Sequence, residues 1–242
     1  MTRKKDNAML PLDQPRSITL KGAKQKYTYH LRRVTVQDWL TYYAGTVNKT
    51  LNRGREREDI FDSDSALIEM VEGLLTGAEG HGDVSARKGW QAAVPLKHKL
   101  AIGISLRSVG PEIAQPLDED GLLPETQEVR LSAAWPAGGK TLMYSGLIHR
   151  FRRPGVDDLK RFNAEVSSVR TRGTAMDGIT VRPSQHAVAM RIYDDLIESV
   201  DGYSIDGKPL EGAEAIRREM DGAHKAAAAL ELFLGGEDVT IE

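Results

Sequence analysis

The stretch Leu31-Arg32-Arg33-Val34-Thr35-Val36-Gln37-Asp38-Trp39 is echoed by Phe151-Arg152-Arg153-Pro154-Gly155-Val156-Asp157-Asp158-Leu159, at an offset of 153 − 33 = 120 residues. Both read as the end of a strand carrying an Arg pair, a short turn, and an Asp in the first turn of a helix, where its charge suits the positive helix end. Working outward, strand-like segments precede each junction: Ser17–Leu20 and Tyr27–Leu31 in the first copy, Val129–Leu131 and Leu142–Ile148 in the second. Turn-like Lys21-Gly22-Ala23-Lys24 and Pro136-Ala137-Gly138-Gly139-Lys140 separate them, so each copy is expected to open with a β-hairpin.

Helical periodicity follows each junction, through Trp39, Leu40, Tyr43 and Val47 and through Leu159, Phe162, Val166 and Val169. A second helix is expected over Ala66–Leu75 and over Val188–Ile197. A third carries His98-Lys99 in one copy and His224-Lys225 in the other, an offset of 224 − 98 = 126. The expected fold is therefore α+β, with two tandem modules, each a basic β-hairpin followed by about three helices. The boundaries read as an N-terminal tail 1–16, module one 17–110, a Pro-rich acidic link 111–128, module two 129–235 and a C-terminal tail 236–242. Three prolines, Pro111, Pro116 and Pro124, with the triplet Asp118-Glu119-Asp120, keep helix and central strand out of the link.

Charge repeats the same pattern. Residues 1–59 hold 13 basic and 6 acidic side chains (+7), 60–129 hold 5 and 12 (−7), 130–173 hold 9 and 3 (+6), and 174–242 hold 6 and 14 (−8). Basic, acidic, basic, acidic is what a duplicated unit shows when each copy starts basic and ends acidic. With 40% hydrophobic residues in 242, the chain has enough apolar material for a real core. The absence of cysteine excludes disulfides, thiol nucleophiles, iron–sulfur clusters and Cys-bearing zinc sites. No leader-like apolar region follows Met1-Thr2-Arg3-Lys4-Lys5, and no run approaches a membrane span, so a cytoplasmic location is expected.

No motif argues for catalysis, a metal or a cofactor, and the chain is read as a non-enzyme. Gly138-Gly139-Lys140-Thr141 ends like a phosphate-binding loop, but position 134 is alanine where that loop needs glycine. His30, His81, His98, His149, His186 and His224 never fall at a metal-ligand spacing and read as ordinary surface or helix residues. Asp201–Pro209, with two Asp-Gly turns, reads as a small hairpin rather than a calcium loop. Asn48–Asp59 reads as a mobile charged loop between helices. Trp39 reads as core and Trp90 as a staple before the third helix, whereas Trp135 has no assigned role.

The candidate interaction surface consists of Arg32, Arg33, Arg152 and Arg153 with Lys24, Lys26 and Lys140 on the hairpins. Solvated or self-paired charge, an acidic protein partner and phosphate contact are the competing accounts, in that order. The order Ile18-Thr19-Leu20, a turn, Tyr27–Trp39 and then helices resembles small proteins of phage and prophage tail modules, notably tail assembly chaperones. The resemblance covers each hairpin and the helices behind it, about half the chain. It implies a non-enzymatic protein of the host cytoplasm that binds phage tail proteins, or itself, to hold apolar surface until assembly; the alternative is a nucleic-acid-binding protein using the basic hairpin faces.

Overall fold

The structure is a computed structural model and describes residues 3–4, 9–23, 25–46, 48–53, 56–60, 63–82, 84–113, 124–137, 139–173 and 177–235. In chain order, the first half runs β1 (Arg3–Lys4), β2 (Leu10–Pro11), β3 (Arg16–Lys21), β4 (Lys26–Leu31), α1 (Val36–Gly45), β5 (Asn48–Arg53), β6 (Glu56–Ile60), α2 (Ser63–Leu74), β7 (Leu75–Glu79), α3 (Trp90–Ala93), α4 (Leu96–Leu106) and β8 (Val109–Ile113). The second half runs β9 (Thr126–Ala137), β10 (Lys140–Arg152), α5 (Val156–Ser167), β11 (Arg170–Gly173), β12 (Asp177–Arg182), α6 (Gln185–Leu196), β13 (Ile197–Asp201), β14 (Tyr203–Ile205), β15 (Lys208–Pro209), α7 (Ala213–Glu219) and α8 (Gly222–Leu234). The class is α+β.

Hairpin, helix, hairpin, helix, strand and closing helices follow in the same order in both halves. Sheet register matches in detail. Tyr29 of β4 faces Ala78 of β7, and His149 of β10 faces Val200 of β13. Each ladder shifts at the equivalent place, between His30 and Leu31 and between Arg150 and Phe151. A β-bulge of this kind bends the strand end that feeds the next helix. Helices α1 and α5 start through the same device, an Asp at the third helical position that reaches back to the backbone N–H of Thr35 or Gly155.

Three expectations need correction. The segment Asn48–Asp59 is not a loop: β5 pairs with β6, and β5 also pairs with β12, giving a four-stranded sheet ordered β11-β12-β5-β6. Its polar residues hid the strand, because a ladder held by backbone bonds on two neighbours needs no apolar alternation. The described residues 9–16 of the expected N-terminal tail 1–16 are also built in. Leu10 and Leu12 are buried in the core of the second half, their N–H groups donating to the carbonyls of Gly202 (2.7 Å) and Ser204 (3.0 Å), and Arg16 opens β3.

The third correction concerns the link: Pro111–Ile113 lie in β8 and Thr126–Glu128 in β9. β8 is an edge strand of the sheet β1-β10-β9-β8, a position where proline costs no ladder bond. Residues 114–123, the tail 236–242 and Val47 lie outside the described residues, so the rest of the link is not placed. The hairpin expected over Asp201–Pro209 is present as β14–β15. Asp206 (φ 51°) and Gly207 (φ 71°) turn it, a pairing of positive φ values that defines a type I′ turn.

Two apolar cores meet at α8. Trp39, Tyr29, Leu74 and Ile102 belong to the first and Phe151, Tyr193, Leu196 and Phe162 to the second. The alanines of α8 divide between them: Ala223 and Ala226 pack in the first core, Ala228 and Ala229 in the second. Small residues on both sides let a helix lie close to two neighbours at once. Gly222 shows the limit, since a Cβ there would stand 2.7 Å from both Met190 and Trp39. Asp221 caps this helix by accepting from the N–H of Ala223 (2.9 Å).

The same Asp221 receives the Arg16 guanidinium at 2.6 Å, both side chains being almost fully buried. Arg16 also lies over the ring of Trp135, 3.8 Å from its centroid. Trp135 thus gains a role: it is the apolar floor under an ion pair that ties β3 of the first half to β9 and α8 of the second. Replacing Arg16 with Ala leaves a buried carboxylate alone and uncovers the indole. We expect R16A to lose about 3–5 kcal/mol in urea unfolding, and the matched R16M/D221N pair to lose less.

Candidate functional site

The Arg pairs of the two junctions are largely consumed by the fold. Arg32 grips Asp38 with both ends of its guanidinium, at 2.8 and 2.7 Å, and Arg152 grips Asp158 in the same way at 2.8 and 2.8 Å. Burial pushes the Asp38 carboxyl up, but hydrogen bonds from Arg32 and Thr35 outweigh it and hold the group below the usual range. For Asp158 the Arg152 hydrogen bonds lead and give the same direction. Bidentate geometry fixes the bulged strand end to the helix start, though half-exposed pairs of this kind add at most about 1 kcal/mol.

Arg33 crosses between the halves to the carboxylate (2.7 Å) and carbonyl (3.0 Å) of Glu219. Arg153 donates its backbone N–H to Glu125 at 2.7 Å. Lys26 and Lys140 start β4 and β10, at the opposite strand ends from the Arg pairs, and Lys24 lies outside the described residues. At about 3.3 Å per residue, the length of β10 alone puts Lys140 on the order of 40 Å of strand from Arg152. Among the described residues of the candidate surface, Lys140 therefore stands far along the strand from Arg152 and Arg153.

Each half holds an aromatic–imidazole cluster, buried in the second half and part-buried in the first, that spacing in the sequence does not reveal. In the second half the Tyr193 hydroxyl meets His149 Nδ1 (2.9 Å), His149 Nε2 meets the Tyr203 hydroxyl (2.7 Å), and that hydroxyl meets His224 Nδ1 (2.9 Å). His149 and His224 are thus core residues rather than surface ones, tolerated because tyrosine hydroxyls satisfy them. In the first half Tyr29, equivalent to His149 in register, meets His81 (2.6 Å) and His98 (2.5 Å).

Two buried lysines repeat alongside. Lys99 reaches Glu72 and the Ala92 carbonyl, and Lys225 reaches Asp194 (2.7 Å) and the Arg217 carbonyl. Burial lowers Lys225 and raises Asp194, each opposed by the other. Each of these polar groups is tied to another side chain or carbonyl. Among the described residues no three His, Cys, Asp or Glu side chains gather to hold a metal ion. No described helix is long and apolar enough to cross a membrane.

Among the described residues a recess lies between the halves. Two adjoining clefts of about 530 and 690 Å³ share Tyr43, Pro183 and Ser184, at the start of α6. Toward one end Tyr43 stacks on His186 at 5.0 Å and Arg107 donates to the Tyr42 hydroxyl at 3.0 Å. Burial lowers His186, Arg107 adding to it, and burial raises Tyr43 strongly, so both are neutral near pH 7. The other cleft is lined by Ala44, Ala164, Val181 and Ala187 together with Arg161, Arg170 and Arg191. Glu165, in the same lining, accepts from Arg161 (3.1 Å) and Arg191 (2.8 Å), which keep it ionised against its burial. With its carboxylate held by two arginines, Glu165 is not a base awaiting a proton.

Comparison with protein-family models, curated proteins and solved structures returns no match.

The histidine cluster makes stability depend on pH with a definite sign. Burial holds His149 well below its ordinary value and His224 at about 4, whereas in the unfolded chain both bind protons near pH 6.5. Their contribution is therefore full above about pH 6.5 and is lost as pH falls toward 4. His224 alone should remove about 2 kcal/mol between about pH 7 and pH 5. Urea unfolding across that range checks this, and H224N should flatten the slope.

Proposed function

We propose that the chain is an internally duplicated, non-enzymatic assembly protein of a phage or prophage tail module, acting in the host cytoplasm by binding another tail protein. The duplication is supported by the common element order, the matched register shifts, and the repeated Arg–Asp and buried-lysine devices. The observation that carries the binding role is the cleft between the halves, lined by Ala44, Ala164, Val181 and Ala187, with its Arg161 and Arg191 already held by Glu165 and Asp195. Such a trough suits the apolar stripe of an amphipathic helical segment. Duplication gives this reading its logic: one module alone offers only one wall of the cleft, α1 from the first half against α5 and α6 from the second.

The nucleic-acid alternative draws less support. A phosphate-binding surface needs guanidinium groups free to meet the backbone, and Arg32, Arg33 and Arg152 are already engaged by Asp38, Glu219 and Asp158.

Co-purification from cells that carry the neighbouring genes tests the proposal. The tagged wild type should recover tail components in fixed ratio, and A44R/A164R, which adds bulk and charge at two exposed positions lining the cleft, should lose them while keeping its fold. Recovery of nucleic acid alone, removable by salt, would overturn the reading.

A further inference from the structure

The four-stranded sheet is built by joining one hairpin from each half, and among the described residues no further strand pairs with either end of it. Its order, β11-β12-β5-β6, is antiparallel throughout and reads first strand, second strand, first strand, second strand. The hairpins are therefore related by translation along the sheet, head to tail, and not by a two-fold axis. A junction between the second strand of one hairpin and the first strand of another exists inside the chain, at β12·β5. The end strands of this described order, β6 and β11, are again a second strand and a first strand.

The two hairpins are equivalent at a fixed offset. Lys49 pairs with Ile60 and Arg170 with Val181, so 170 − 49 = 121 and 181 − 60 = 121; the pairs Asn52↔Arg57 and Gly173↔Gly178 give the same value. Within the chain Ile179 of β12 faces Leu51 of β5. Moving that pair by the same offset, 179 − 121 = 58 and 51 + 121 = 172, sets Glu58 of one chain opposite Arg172 of another. The edge compositions agree with this. β6 reads Glu-Arg-Glu-Asp-Ile, two negative charges in excess, and β11 reads Arg-Thr-Arg-Gly, two positive. Opposite charges facing across a ladder favour pairing and like charges oppose it. Charged edges block an edge from meeting its own kind, β6 with β6 or β11 with β11, and leave β6 with β11 as the permitted match.

We infer that a second copy of this chain docks its β11 on β6 of the first, repeating between chains the β12·β5 junction within the chain. The contact is heterologous, so it propagates into a ring or a filament and does not stop at a dimer. This holds whatever the partner of the cleft is, and the test below does not involve that partner.

Sedimentation velocity over a range of protein concentration and salt reads the outcome. The wild type should form species larger than a dimer as concentration rises, and salt should weaken them because the edge charges are screened. E58R and R172E should each associate several-fold more weakly, and an equimolar mixture of the two should regain what each lacks, since each supplies the edge that fits the other. Circular dichroism shows whether each variant keeps the wild-type fold, and the mixture is informative even if one is less stable alone. A wild type that remains monomeric at all concentrations in low salt would overturn the inference. So would a ceiling at dimer, or assembly indifferent to both substitutions.

Discussion

The burial of α8 between two cores is the constraint from which the rest of the fold follows. A helix that is apolar only on one stripe belongs to one domain, whereas α8 places Ala223 and Ala226 in one core and Ala228 and Ala229 in the other. It can do so only because its residues are small, and Gly222 is the point of closest approach to Trp39. Once α8 is shared, its capping residue Asp221 is buried as well, and a buried carboxylate demands a counter-charge. Arg16 supplies it from the other half, with Trp135 beneath. The halves are thus bound by an obligation of electrostatics as much as by apolar area.

The two junctions are built alike. A strand bulge, an Arg–Asp fork and a helix start form one unit in which each part sets the geometry of the next. The bulge turns Arg32 or Arg152 toward the helix, and the carboxylate that it holds also caps that helix. Loss of either charge would release both the strand end and the helix start. The halves differ in their loops and in their aromatic–imidazole clusters, where Tyr29 in one half stands where His149 stands in the other.

Much of this architecture was legible in the sequence, and the parts that were not share a physical reason. The hairpins around Tyr29 and Leu147, the helices after Asp38 and Asp158, and the central place of Trp39 follow from alternation, periodicity and turn residues. The sheet β11-β12-β5-β6 was hidden because its strands are polar and held by backbone pairing, so Asn48–Asp59 looked like a charged loop. β7 and β13 follow α2 and α6 with no glycine or proline between, and a break in periodicity is the only mark. Of the candidate surface, Arg32 and Arg152 pair with Asp38 and Asp158, six positions on, in forks that remain half-exposed. The cleft could not be read at all, since its lining comes from α1, α5, α6 and β12, which only the tertiary fold brings together.

The account stands on the two halves forming one cooperative unit around α8. Hydrogen exchange in rising, sub-denaturing urea measures this most directly, by comparing the slowest amides of β4 with those of β10. Amides of both strands should converge on a single opening free energy equal to that of global unfolding. Two separate plateaus, with β4 opening while β10 stays protected or the reverse, would mean that the halves are independent domains and would contradict the shared-helix account.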